Sequence, residues 1–199
     1  MPDDRETWIR HSVYLAVFTA LFHGLQLVAS VLLWVRTDSA AMIAFGLDAA
    51  VSVASAVIIG FRMRTVILSG WDRAAGLGYL AASAGAFYMG SSMLWRGERP
   101  ARSILGIVLA AVSMLIIPVI GSYMKTLAVE LRSQMLKSAA VFTFGNSYLS
   151  MVLLIALLLN SGMDLRWGDP VGALVMFPFM AQKGIQMLLE EGKHEYIED

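Results

Sequence analysis

Six apolar stretches alternate with short polar segments along the chain. They run about His11–Val35, Ala40–Phe61, Ala74–Trp95, Ser103–Met124, Ser138–Leu159 and Pro170–Leu189. About 20 apolar residues in an α-helix cross the ~30 Å hydrocarbon core of a bilayer. Backbone amides find no partner in lipid, so each stretch must satisfy its own as a helix. The pattern therefore predicts an all-α integral membrane protein, a six-transmembrane-helix bundle forming one domain over residues 1–189. A short acidic tail follows at 190–199, too short to fold alone. The first stretch is too long for a cleaved signal peptide and lacks a small-residue cleavage site before the second.

Basic residues set the expected orientation. One set of segments holds Arg5, Arg10, Arg62, Arg64, Arg73, Lys125, Arg132, Lys137, Lys183 and Lys193. The other holds Arg36, Arg96, Arg99, Arg102 and Arg166. The richer side is expected to be cytoplasmic. With an even number of spans, that places both termini in the cytoplasm and the chain in the inner or plasma membrane.

Composition agrees and narrows the chemistry. Of 199 residues, 58% are hydrophobic and 15% charged, against about 25% charged in an ordinary soluble domain. A soluble globular enzyme is excluded. There is no cysteine, which removes disulfides, thiolate metal sites and cysteine nucleophiles. Zero net charge gives nucleic acid no basic surface to bind. The 13 methionines suit core and lipid-facing packing; a Cu(I) path would have little beyond the helically spaced Met89 and Met93. No nucleotide loop, nucleophile elbow or zinc-protease helix is present, so no enzymatic activity is expected. The glycines at Gly76 and Gly78 lie inside an apolar helix and serve packing.

Small residues recur at every fourth position in span 2 (Ala44, Asp48, Ser52, Ala56, Gly60) and span 3 (Gly78, Ala82, Ala86, Gly90), with Ala139, Thr143 and Ser147 in span 5. Such rows let helix backbones approach closely in lipid. The span 3 face is expected to pair two copies through Ala82 and Ala86. Asp48 interrupts the span 2 row. Facing hydrocarbon it would cost at least about 2.5–3.5 kcal/mol, so it must face protein or a water-filled cavity.

Asp48 lies about 12 Å from the outer end of its span, and His23 about 18 Å from the outer end of span 1, at 1.5 Å per residue. Thr143 and Asn146 reach a similar depth on span 5, and Gln26 lies one turn from His23. A His23–Asp48 structural pair and a site for a transported ion or proton are both open to this set. Imidazole titrates near neutrality and suits a proton relay. Elsewhere, Asp169 followed by Pro170 reads as the N-cap and first residue of the sixth helix, with Trp167 as an interfacial anchor. Lys183 is expected to snorkel to the inner surface. His194, among the acidic residues of the tail, is open to holding a metal with them, but a solvated, frayed terminus is the stronger expectation.

Phe45-Gly46-Leu47-Asp48-Ala49-Ala50-Val51-Ser52-Val53-Ala54-Ser55-Ala56 resembles the second helix of cation diffusion facilitator (cation efflux) proteins, above all their compact bacterial members without a cytoplasmic domain. Tyr148-Leu149-Ser150, Leu157-Leu158-Leu159-Asn160 and Trp167-Gly168-Asp169-Pro170-Val171-Gly172-Ala173-Leu174 look like the end of that family's fifth helix and the start of its sixth. The resemblance implies efflux of divalent cations, commonly zinc, by alternating access in exchange for protons, often as a homodimer. It also implies an ion site of two acidic or His residues four apart on helix 2 and a similar pair on helix 5. Asp48 matches the first helix 2 position, but Ser52 stands at the second, and Ala139 and Thr143 stand at the helix 5 positions. One carboxylate supplies half the charge that a dehydrated divalent cation needs. The expected ligand set is accordingly Asp48, His23, Thr143, Asn146 and Ser52, holding cargo rather than a resident cofactor. The competing expectation is a membrane-embedded structural or assembly partner that has lost the ion site.

Overall fold

The computed structural model describes residues 2–62 and 71–194. Six helices follow in order: α1 (Pro2–Thr37), α2 (Ala40–Arg62), α3 (Trp71–Arg96), α4 (Ile104–Glu130), α5 (Gln134–Gly162) and α6 (Gly168–His194). Each expected span lies on one of them, and no strand occurs among the described residues. Among the described residues, five helices are long and apolar enough to cross a membrane: all but α3, whose glycine, serine and tyrosine lower its hydropathy. α6 continues past the expected end at Leu189 as far as His194. The rest of the tail lies outside the described residues, as does the side chain of His194.

The links are short and capped. Asp38 adopts φ 53°, and its amide donates to Trp34 O at 2.8 Å, closing α1 with a left-handed residue that Asp tolerates. Ser103 and Ser133 cap α4 and α5 by accepting from Gly106 N and Leu136 N. Three links meet at one end of the bundle. Ala101 N donates to Thr37 O, Asn160 Nδ2 to Pro100 O, and Arg102 pairs with Asp164 at 3.1 Å. This link end is the end that the basic-residue count assigns to the outside.

α2 is the hub, touching α1, α3, α5 and α6, while α3 packs along α6 and α4 along α5. One apolar core, with Leu33, Phe45, Ala86, Leu153 and Met176, fills the link end. A second, with Leu15, Met124, Leu127 and Leu136, ties α1, α4 and α5 together towards the opposite end. On α1, Phe18, Leu21, Leu25, Val28, Leu32 and Val35 face outward as a helical stripe for lipid. The span 2 row is buried as expected at Ala44, Asp48, Ser52 and Ala56.

The small face of α3 has a different use from the one expected. Ala82 and Ala86 are buried within the protomer. A Cβ on Gly78 would meet Val51 of α2, and one on Gly90 would meet Pro170 O of α6 at 2.8 Å. The face is consumed by the chain's own helices and is not available to pair two copies. An equally close approach lies farther along the same pair, where a Cβ on Gly184 would lie 2.8 Å from Gly76 O. Gly184→Val must push the two backbones apart. We expect it to cost about 1–3 kcal/mol, read as a lowered thermal midpoint in detergent; an unchanged midpoint would show that the α3–α6 contact can yield freely.

Candidate intramembrane site

Between the two apolar cores lies a polar layer. Asp48 on α2 and Lys183 on α6 are 0% and 2% exposed, and Lys183 Nζ donates to Asp48 Oδ1 at 3.0 Å. The same ammonium donates to Asn146 Oδ1 on α5. Asn146 Nδ2 donates to Ser52 Oγ at 2.9 Å, and Ser52 Oγ lies 3.1 Å from Tyr79 Oη on α3. The Tyr79 and Phe179 rings flank the ammonium at 4.9 and 5.4 Å. Four helices thus contribute to one connected network.

Helix geometry explains how Lys183 comes to be there. Side chains tilt towards the N-terminus of their own helix, and α6 starts at the link end. Counting from Asp169 beside Ala40, Lys183 lies about 21 Å along α6 and Asp48 about 12 Å along α2 at 1.5 Å per residue. The lysine stem covers that offset by reaching up towards the link end. Gly145 makes room for the Phe179 ring that flanks the ammonium: a Cβ there would collide with Phe179 Cζ, while it would only touch Lys183 Cε at 3.4 Å. The expectation that Lys183 snorkels to the inner surface is therefore overturned. Its tilt points inward to the bundle, and a buried carboxylate supplies the countercharge that water would otherwise provide.

Of the expected ligands, Asp48, Ser52 and Asn146 come together. Thr143 does not join them; its hydroxyl donates to Ala139 O at 2.8 Å and approaches Met124 Sδ at 3.4 Å. A hydroxyl so bonded to its own helix turn is held away from the network. His23 also stays apart. Its Nδ1 is 2.9 Å from Gln26 Oε1, so the expected His23–Asp48 pair is not formed, although the Asp48 and Lys183 charges both act on the ring. Asp48 Oδ2 has no hydrogen-bond partner. Among the described residues, no three His, Asp or Glu side chains gather into a metal cluster.

Lys183 and Tyr79 are the members that sequence reasoning missed. Charge balance could have found the lysine, since a buried Asp48 requires a partner and Lys183 is the basic residue farthest inside a span. Tyr79 carries no such signal.

Asp169 is also placed differently from its expected role. It sits inside the first turn of α6, and its carboxylate crosses to the start of α2. It accepts from Ser39 Oγ at 2.5 Å, Ala40 N at 2.8 Å and Ala41 N at 3.4 Å, while Ser39 Oγ accepts from Met42 N. The first amides of α2 are buried at the α6 interface, beyond the reach of water, and this carboxylate satisfies them.

A model of the cation efflux transmembrane domain matches residues 16–193 of the chain. No curated protein matches it by sequence.

Proposed function

Because the chain belongs to the cation efflux family, a family of membrane transporters of cations, we propose that it exchanges a cation for a proton at the Asp48–Lys183 pair. The single observation that carries this reading is the buried ion pair itself. A cargo cation can bind Asp48 only if the positive charge already there is withdrawn, because uncompensated charge in a low-dielectric interior is costly. Lys183 withdraws it by releasing one proton and remaining as a neutral amine. One positive charge then replaces another, and the site stays neutral for a monovalent cation. A divalent ion would leave an excess positive charge, since Ser52 stands where a second carboxylate would be needed.

The groups around the pair are Asp48, Asn146 Oδ1, Ser52 Oγ and Tyr79 Oη. Oxygen donors of this kind suit hard cations better than zinc, which favours imidazole and thiolate. Zinc, the cargo that the family resemblance implies, is therefore one cation to test and not the best fit. Exchange would run with both termini cytoplasmic, as the basic-residue distribution supports.

Proteoliposomes containing a pH-sensitive dye test the proposal. Gradients of sodium, potassium, manganese, cobalt and zinc are imposed in turn, with Asp48→Asn as the comparator. We expect at least one cation to drive proton movement, and Asp48→Asn to abolish it. Silence with every cation would overturn transport and favour the second reading, a non-transporting structural or assembly partner. That reading draws on the same closed pair and on Ala139 and Thr143 at the helix 5 ligand positions. In it, Lys183 permanently fills the place of the ion.

A further inference from the structure

α1 carries a buried polar stripe that the ion pair does not use. Ser12, Thr19, His23, Gln26, Ser30 and Thr37 are all at least nine-tenths buried, at spacings of three, four or seven residues that keep them on one helix face. This face packs against α2 and α4. The antiparallel register is set where a Cβ on Gly46 would lie 3.1 Å from Ser30 Cβ. Moving from there towards the terminal end, Asp48 follows Gly46 on α2, while Gln26 and then His23 follow Ser30 on α1.

Several polar atoms in this region have no protein partner: Thr19 Oγ1, Gln26 Nε2 and Ser30 Oγ on α1, Ser113 Oγ on α4, and Asp48 Oδ2 on α2. Each belongs to a side chain no more than 6% exposed. A buried polar atom left unpaired costs about 1–3 kcal/mol, and native interiors leave few of them. Orphans scattered over a structure could be separate local costs. Here they come from α1 and from the two helices that pack against it, α2 and α4, and Asp48 Oδ2 is the one carboxylate oxygen among them. Water resolves such a cluster, because a buried water bridges about three polar groups.

We propose that a column of water lies between α1, α2 and α4, joins His23 to Asp48 Oδ2, and carries the proton exchanged at Lys183. The inference rests on the cation–proton exchange proposed above, for which it supplies the proton route. Asp48 divides the two halves of the site: Oδ1 holds the ammonium, and Oδ2 is left for the column. The acceptor character of Gln26 Oε1 makes His23 Nδ1 a donor, so Nε2 of the neutral ring carries a lone pair. A hydronium ion gives its proton to Nε2, and the imidazolium returns one proton to the next water. Only O–H and N–H bonds form and break, one proton entering for each that leaves. The charged groups that act on the ring are Asp48 and Lys183.

The chain has three histidines, which makes the test practical. The full-length protein, with 15N-labelled histidine, is placed in lipid bilayers and examined by water-edited solid-state NMR. The His23 ring signal is assigned by its disappearance in His23→Gln. We expect rapid magnetisation transfer from water to this ring, slowed about threefold in Ser113→Val, where two methyl groups take the place of a water-bonding hydroxyl. Ser113→Ala provides the same comparison should the valine variant fold poorly. A ring as slow to receive water magnetisation as amides in the apolar cores overturns the column, as does a wet ring indifferent to both Ser113 variants. Proton flux serves as the independent readout. Flux with a dry His23 sinks the column alone, and a wet His23 without flux sinks the exchange alone.

Discussion

Lys183→Met is expected to destabilise the protein by about 3–5 kcal/mol, because it strands the Asp48 carboxylate in the interior without its countercharge. Asp48→Asn strands the ammonium and should cost a similar amount. The double variant removes both charges and should lose much less than the sum of the two. Chemical unfolding of all four forms in detergent micelles gives the coupling directly; simple additivity would mean that the 3.0 Å contact contributes no specific interaction. The same variant separates the two functional readings. With its ammonium gone, Asp48 in Lys183→Met is open to a free cation, and a cation that binds the folded state should restore stability. At 100 times its dissociation constant that recovery is about 2.7 kcal/mol. Recovery with one cation and none with the others would identify the cargo. No recovery with any of them would mean that the lysine replaces the ion for good.

Asp169→Ala should be the most damaging substitution after those at the ion pair, at about 2–4 kcal/mol. The carboxylate satisfies Ala40 N, Ala41 N and Ser39 Oγ together, and all three would be left buried at a helix start. Ser39→Ala removes the acceptor for Met42 N and one of the three donors to Asp169, leaving Ala40 N and Ala41 N still satisfied, and should cost about 1 kcal/mol, the ordinary value for a lost N-cap. The order matters more than either number. If Ser39→Ala proved the costlier, the cap of α2 would be local, and the carboxylate from α6 would be incidental to it. Asp169→Ala should also weaken the coupling between Asp48 and Lys183, since the carboxylate fixes α6 against α2 about 12 Å from Asp48 at 1.5 Å per residue.

The helices were legible because each apolar stretch had to satisfy its own backbone, whatever its neighbours. His11–Val35 and Ser138–Leu159 therefore fall inside α1 and α5 with no need to know the packing. The burial of Asp48 was legible for a related reason, as a carboxylate cannot face hydrocarbon. Its neighbours Ser52 and Asn146 were recognisable as polar side chains at matching depth. Thr143 passed the same test and yet bonds its own helix, because depth does not specify which side of a helix faces the network.

The sequence by itself determined the class of protein, the six helices and the residue whose charge most needs an explanation. These follow from local requirements: hydropathy, backbone hydrogen bonding and the cost of a charge in lipid. Only the tertiary structure decided the partners. It brought Lys183 to Asp48 across 135 residues and Asp169 to Ser39 across 130, and turned the small face of α3 against α2 and α6. Such pairings depend on the register and tilt of neighbouring helices, where a shift of one residue turns a side chain about 100° around its axis. The lysine shows the difference most clearly. Its distance from the helix end suggested escape to water, while the direction of its stem and the buried Asp48 carboxylate drew it inward instead.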